Sequence, residues 1–187
     1  MSKYIGFTII EALVSLAILL SLFAIGVPNL NNYLIEARVD NEMFTLHRLL
    51  LITRNTALTS NGNVTLCPIN AQSICTGEWH RELSVFTDAN NNKIYEPALN
   101  EKIIAVKSAI KTGDKLQYGT TRVGLTYAAT GHLSGWGQNA TFSYCPANHS
   151  DKSRGIIVAV SGRSYVSAAN KSYTANIRRS GKKIICS

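Results

Sequence analysis

The sequence lacks the signatures of a catalytic site. Its four histidines are scattered, no serine sits in a Gly-x-Ser-x-Gly turn, and no glycine-rich phosphate loop is present. None of the four cysteines forms a Cys-x-x-Cys pair, which argues against a zinc site and against thioredoxin-like redox chemistry. We therefore predict that the protein is not an enzyme and that it needs no cofactor or metal.

Acidic residues are also scarce, with 11 Asp and Glu against 19 Lys and Arg, which gives a net charge of +8. The excess lies in residues 151–187, where eight basic residues and one acidic residue give +7. The eight are Lys152, Arg154, Arg163, Lys171, Arg178, Arg179, Lys182 and Lys183. Such a segment favours nonspecific contacts with DNA phosphates, and Tyr165 and Tyr173 can add base stacking. The alternatives are a solvated face or a patch that pairs with acidic neighbouring subunits.

The chain does contain a long apolar run, from Phe7 to Val27, after a short polar leader that carries Lys3. At about 1.5 Å per residue, a helix over this run covers a hydrocarbon core of roughly 30 Å. The run is longer than the apolar region of a cleaved signal peptide and has no small-residue cleavage site at its end. Glu11 lies near its start, and a plain anchor does not explain a carboxylate that costs about 2.5–3.5 kcal/mol on insertion scales.

Residues 6–11 read Gly-Phe-Thr-Ile-Ile-Glu and closely resemble the processing site of type IV prepilins and type II secretion pseudopilins. The resemblance implies that a membrane peptidase cuts after Gly6 and that Phe7 becomes an N-methylated N-terminus. It also implies that Glu11 meets the free amine of a neighbouring subunit in the filament, which would make the buried charge tolerable. Pro28 matches a proline that this family commonly carries near the membrane exit.

The segment after residue 28 shows apolar residues at three- and four-residue spacings, which predicts an amphipathic helix with one stripe against a core. The residues are Leu30, Tyr33, Leu34, Ala37, Met43, Phe44, Leu46, Leu50 and Leu51. We expect the helix to end near residues 60–63, which read Ser-Asn-Gly-Asn. Short apolar or alternating stretches then predict strands at 64–67, 83–87, 102–106, 115–118, 124–127, 140–145, 155–160 and 163–166. The predicted fold class is α+β and type IV pilin-like, with a long N-terminal helix, half transmembrane and half amphipathic, packed on antiparallel β-sheets.

The part of the chain after the helix resembles the GspH/FimT/FimU group of minor pilins and pseudopilins. The residues that carry this resemblance are Leu-Cys-Pro at 66–68, Val-Phe-Thr-Asp-Ala-Asn at 85–90, Ala-Thr-Gly at 129–131, and the strand–turn–strand at 156–163 with its Ser-Gly-Arg turn. Residues 162–165 read Gly-Arg-Ser-Tyr and depart from the Gly-Arg-x-Arg turn of DNA-binding FimT members. The resemblance implies a leader at 1–6, a pilin helix at 7–60 with its membrane part at 7–27, and a GspH/FimU-like β-rich domain at 61–187.

The function implied by the resemblance is that of a minor type IV pilin in the assembly-initiating or tip complex of a pilus. The alternatives are a DNA-binding minor pilin for uptake in natural transformation and a minor pseudopilin of a type II secretion system. The expected partners are other major and minor pilins, the prepilin peptidase, the inner membrane before assembly, and duplex DNA in the second case. The expected locations are the inner membrane of a Gram-negative bacterium, with the globular domain in the periplasm, and the cell-surface pilus.

The four cysteines, Cys67, Cys75, Cys145 and Cys186, all lie outside the apolar run. Their even number and the exported context favour disulfides over free thiols. Of the three connectivities, we favour a Cys67–Cys75 pair, which closes a short loop, and a Cys145–Cys186 pair, which joins the C-terminal segment to a strand.

Residues 88–96 contain an oxygen-rich series that superficially resembles a calcium loop. The EF-hand loop requires glycine at its sixth position and glutamate at its twelfth, and here those positions are Lys93 and Leu99. We therefore predict a structural turn at this place.

Overall fold

The computed structural model describes residues 6–135, 139–167 and 186. The chain divides into two compact units, Met1–Ala37 and Arg38–Ser187. A single helix, α1 (Ile9–Ser60), begins in the first unit and ends in the second, close to the predicted end. This helix is long and apolar enough to cross a membrane by length and composition, and its most apolar stretch has a mean hydropathy of 2.4 with no residue buried.

The described residues of the second unit form eight strands in two antiparallel sheets. The strands are β1 (Val64–Cys67), β2 (Leu83–Thr87), β3 (Ile103–Lys107), β4 (Lys115–Tyr118), β5 (Leu125–Tyr127), β6 (Ala140–Cys145), β7 (Arg154–Val158) and β8 (Ser164–Val166). The first sheet has the order β3-β2-β1-β5, and the second has the order β4-β6-β7-β8. Two short 3-10 helices, Pro97–Leu99 and Ser150–Lys152, lie in the connections. The predicted α+β class is confirmed.

The predicted strands agree with the observed ones except at some ends, of which the end of β7 is the most informative. β7 stops at Val158 because the next residues turn: the Ala159 N–H donates to the Arg163 carbonyl, and the Gly162 N–H donates to the Ala159 carbonyl, both at 2.9 Å. Gly162 has a φ of +75°, and a Cβ at this position would lie 2.0 Å from the Gly131 carbonyl oxygen. Both the left-handed backbone and the close approach therefore require glycine here.

Within the second unit, α1 buries one face against the sheets. The core residues on this face are Val39, Met43, Leu46, Leu50 and Ala57. The prediction that Phe44 and Leu51 belong to the same buried stripe is wrong, since their exposed fractions are 69% and 43%. Each follows a core residue directly, and successive residues on a helix are rotated by about 100°, which turns these two side chains away from the core.

Three ion pairs join α1 to the strands and loops of the second unit. Arg38 Nε lies 3.2 Å from Asp114 Oδ2, and Arg154 Nε lies 3.4 Å from Asp40 Oδ1. The third pair joins Lys107, the last residue of β3, to Glu42. The helix partners are three successive even positions, 38, 40 and 42, so these pairs fix how the first turns of this part of the helix are rotated against the sheets.

Asp114 is the most heavily bonded of these charged groups. Its carboxylate accepts hydrogen bonds from the Tyr144 hydroxyl and, at 2.8 Å, from the Ala147 N–H, in addition to its contact with Arg38. Its side chain is only 1% exposed. Burial, followed by the hydrogen bond to Asp114, raises the pKa of Tyr144 well above its usual range, so this hydroxyl stays protonated and donates.

Both favoured disulfides, Cys67–Cys75 and Cys145–Cys186, are formed in the structure. The first closes a loop of 8 residues and the second a loop of 41 residues. In the chain-entropy model, the longer loop stabilises the fold by about 4 kcal/mol. The second bond joins β6 to the far end of the basic C-terminal segment.

The turn after β2 is organised by a buried carboxylate, as predicted. Asp88 is fully buried and accepts hydrogen bonds from the Asn92 N–H at 3.0 Å, the Lys93 N–H at 3.2 Å and the Thr65 hydroxyl at 2.6 Å. These bonds occupy both of its oxygens. In the part of the chain that the structure describes, no group of three or more His, Cys, Asp or Glu side chains is arranged to hold a metal ion.

Candidate processing and assembly site

The start of α1 is closed by a reciprocal pair of hydrogen bonds between Thr8 and Glu11. Thr8 directly precedes the helix, and its hydroxyl accepts a hydrogen bond from the Glu11 N–H at 3.4 Å. In return, Glu11 Oε2 accepts from the Thr8 N–H at 2.9 Å and from the Thr8 hydroxyl at 2.8 Å. This is a capping box, in which two backbone donors at the helix start are satisfied by side chains.

Sequence reasoning missed the part that Thr8 plays. The signal was present, because Thr8-Ile-Ile-Glu11 has the Ser/Thr-x-x-Glu spacing that marks a helix start. The predicted assembly residue, Glu11, is therefore oriented by a neighbour within the same short motif.

The predicted processing bond, between Gly6 and Phe7, directly precedes this capping box. Phe7 is 77% exposed, and a Cβ built at Gly6 meets no atom of the chain within 4 Å. The bond is therefore unobstructed by the described residues, and the fold itself does not require glycine at position 6.

The surroundings of Glu11 are apolar and exposed. Ile9, Ile10, Leu13 and Val14 are each more than half exposed, and they flank the carboxylate along the helix. Both hydrogen bonds from Thr8 end on Oε2, which leaves Oε1 for a further donor. An environment that buries this apolar surface must bury the carboxylate as well, and a buried carboxylate requires a cationic partner.

Three of the eight basic residues predicted to contact DNA lie in the described part of the second unit. Lys152 ends a 3-10 helix, Arg154 begins β7, and Arg163 is exposed on the turn before β8. The Arg154 side chain is only 14% exposed and pairs with Asp40, so it contributes to the fold. The other five lie outside the described residues: Lys171, Arg178, Arg179, Lys182 and Lys183.

A family comparison identifies the class of protein to which this domain belongs. The family model for the type II transport protein GspH matches residues 44–162, which is more than half of the chain. The chain belongs to the GspH family. The match begins within α1 and extends through β7 into the turn that follows it, so it covers most of the β-rich domain, and the resemblance drawn from the sequence motifs is confirmed.

Solved structures with a similar fold include two proteins from filament systems. The type IV minor pilin FimU of Pseudomonas aeruginosa matches with a TM-score of 0.55 and 14% identity, over 72% of this chain and 91% of FimU. The minor pseudopilin EpsH from the type 2 secretion system of Vibrio cholerae matches with a TM-score of 0.47 and 14% identity, over 69% of this chain and 95% of EpsH. A search of curated protein sequences gives no significant match.

The GspH-family chain is thus a minor pilin or pseudopilin, of a family whose members are in general structural rather than enzymatic. The family match does not include residues 1–43, which contain Gly6, Phe7 and Glu11. Assignments of those residues accordingly depend on the local motif and on the geometry of the helix start.

Proposed function

We propose that this chain is a minor pilin of a type IV pilus, in the assembly-initiating or tip complex. In this proposal a peptidase removes residues 1–6, and α1 holds the protein in the inner membrane with its globular domain in the periplasm until it enters the filament. One observation carries the proposal: a carboxylate, Glu11, sits in an exposed apolar helix start directly behind an unobstructed Gly6–Phe7 bond.

The chemistry of the cut supplies the partner that Glu11 needs. Cleavage after Gly6 would create a cationic amine on Phe7, and an equivalent amine on an adjacent subunit can pair with the free oxygen of Glu11. Because two buried opposite charges are tolerated together whereas one alone is costly, the pair favours the filament over an isolated subunit. The capping box holds Glu11 in a fixed orientation while this happens.

Deletion of the gene tests the proposed function. We expect fewer surface pili, with normal secretion of type II substrates, and recovery when the full chain is supplied from a plasmid. Unchanged pilus number, extension and adhesion would contradict the proposal, and a secretion defect in their place would favour the pseudopilin alternative.

Replacement of Glu11 separates its charge from its role in the helix cap. We expect Glu11→Gln, which keeps a capping side chain, and Glu11→Ala, which does not, to be processed normally but to enter pili at least about tenfold less than the unaltered chain. The reason is that a lost partner in a buried pair costs about 3–5 kcal/mol, and about 1.4 kcal/mol is already tenfold. The measurement is quantitative immunoblotting of sheared pili. Normal incorporation of Glu11→Gln would mean that helix capping, not charge, is the function of this residue.

A second candidate function, DNA binding, is favoured by the +7 charge of residues 151–187 and by the exposed position of Arg163 on its turn. Phosphate contacts by lysine and arginine carry no base information, so the binding would be nonspecific and salt-sensitive. Arg154 is excluded from a test of this idea, because its removal breaks the ion pair with Asp40.

A gel-shift titration of residues 35–187 with duplex DNA tests this candidate. We expect binding at low salt that falls steeply as salt rises, and we expect Arg178→Ala/Arg179→Ala/Lys182→Ala/Lys183→Ala to lower the salt slope by up to about 3–4, since each phosphate contact contributes about 0.9. The matched control is Lys102→Ala/Lys111→Ala, which removes two exposed lysines from another part of the domain. No binding at low salt, or equal loss in the control, would contradict DNA binding.

A further inference from the structure

The face of α1 that points away from the core of the second unit carries an exposed apolar row. Phe44, Leu51 and Leu58 have exposed fractions of 69%, 43% and 45%, although the helix residues next to them are buried. They are spaced seven residues apart, so they deviate from a straight line by only about 20° per step. We call these three residues the helix stripe.

The helix stripe has polar neighbours on one side. Asn41, Arg48 and Asn55 are exposed and alternate with the stripe at three- and four-residue spacings. Arg48 stands at the centre, and no described acidic side chain lies within ion-pairing distance of it. The surface therefore combines a narrow apolar row with one central positive charge.

We propose that the helix stripe is a docking surface for an α-helix of a neighbouring pilin subunit, which presents an apolar row and a carboxylate opposite Arg48. This inference rests on the proposed incorporation into a pilus and names a contact within that assembly. It concerns a part of α1 that lies after the membrane-length run and is separate from Glu11.

The spacing of the stripe favours a helix as the occupant. Seven residues of α-helix advance about 10.5 Å, which is the repeat with which side chains of one helix enter holes on another. A β-strand repeats its side chains on one face about every 6.6 Å, which does not match this distance. The sequence also continues the seven-residue spacing at Ala37, Leu30 and Phe23, all of them exposed, so the apolar row follows the helix into the run that packs in an apolar environment.

The central charge argues against a second copy of this chain as the occupant. Arg48 lies midway between Asn41 and Asn55, so parallel and antiparallel pairing in register would both bring two Arg48 side chains together. Like charges at the centre of an interface select against that pairing. A helix with a carboxylate at the corresponding position is the complementary partner.

Photo-cross-linking in cells identifies the occupant. A benzoylphenylalanine placed at position 44 of the full-length chain keeps an aromatic side chain there, and we expect a cross-link to a helix of another pilin, identified by mass spectrometry of the joined peptides. The same probe at Val106, which is 50% exposed on β3, is the matched control. A cross-link from position 44 to a strand, a loop or a second copy, no cross-link at all, or the same helix product from position 106 would overturn the inference.

A triple variant, Phe44→Gln/Leu51→Gln/Leu58→Gln, measures the contribution of the stripe to incorporation. We expect normal processing, a formed Cys145–Cys186 bond on non-reducing gels, and at least about tenfold less protein in sheared pili. The control Ile104→Gln/Val106→Gln changes exposed apolar residues of β3 and is expected to enter pili normally. If the unaltered chain is absent from pili, the proposed function fails; if it is present and the triple variant equals it, only the inference about the stripe fails.

Discussion

Alanine in place of Gly6 is expected to leave the whole population of the protein uncut. No atom of the chain lies within 4 Å of a Cβ at this position, so the substitution does not disturb the fold and any effect arises in the peptidase. Without the cut, Phe7 has no free amine and the pairing proposed for Glu11 cannot form. Incorporation into pili should therefore also fall below detection.

The measurement for Gly6→Ala is the intact mass of the membrane-extracted protein, which differs by residues 1–6 between the two forms. Gly26→Ala is a matched control, because Gly26 lies in the same helix and also has nothing within 4 Å of a Cβ. We expect Gly26→Ala to be processed like the unaltered chain. A normal mature mass for Gly6→Ala would remove the foundation of the proposed function.

Asp114→Ala is expected to lower the free energy of unfolding of the second unit by about 3–5 kcal/mol. The substitution removes one partner of a buried ion pair, which costs about this amount because the other charge stays behind. It also deprives the Tyr144 hydroxyl and the Ala147 N–H of their acceptor, and Tyr144 is fully buried. Such a loss is a large fraction of the stability of a typical domain, about 5–15 kcal/mol.

Urea unfolding of residues 38–187, followed by tryptophan fluorescence, measures this loss. Asp151→Ala removes an exposed carboxylate from a 3-10 helix and should change stability by less than about 0.5 kcal/mol. Asp114→Asn keeps the size and an acceptor for the hydrogen bonds, so an intermediate loss is expected. If Asp114→Ala unfolds at the same urea concentration as Asp151→Ala, the carboxylate does not hold α1 to the domain.

The elements of the fold were predictable because each follows from local sequence. The alternation of short apolar stretches placed all eight strands within two residues of their observed ends, and the glycine and asparagine after Ser60 marked the end of α1. The processing motif and Glu11 are likewise contained in residues 6–11. The capping box was equally local and was readable from Thr8 and Glu11.

The long-range contacts were not predictable from one sequence. Arg38 and Asp114 are 76 residues apart, and nothing local to either residue names the other as its partner. Phe44 and Leu51 were assigned to the core because mixed three- and four-residue spacings fit two adjacent stripes, and only the position of the sheets decides between them. For the basic residues, composition gave the charge, but the ion pair of Arg154 with Asp40 required the structure.

The Cys145–Cys186 bond makes the basic segment part of a covalent ring. A protease that cuts one peptide bond between these two cysteines does not release a fragment, because the sulfur bridge still connects both pieces. The nicked protein keeps its lysines and arginines and runs as a single species until it is reduced. Damage to this segment is therefore invisible on a non-reducing gel, and loss of the segment requires two cuts or one cut and a reductant.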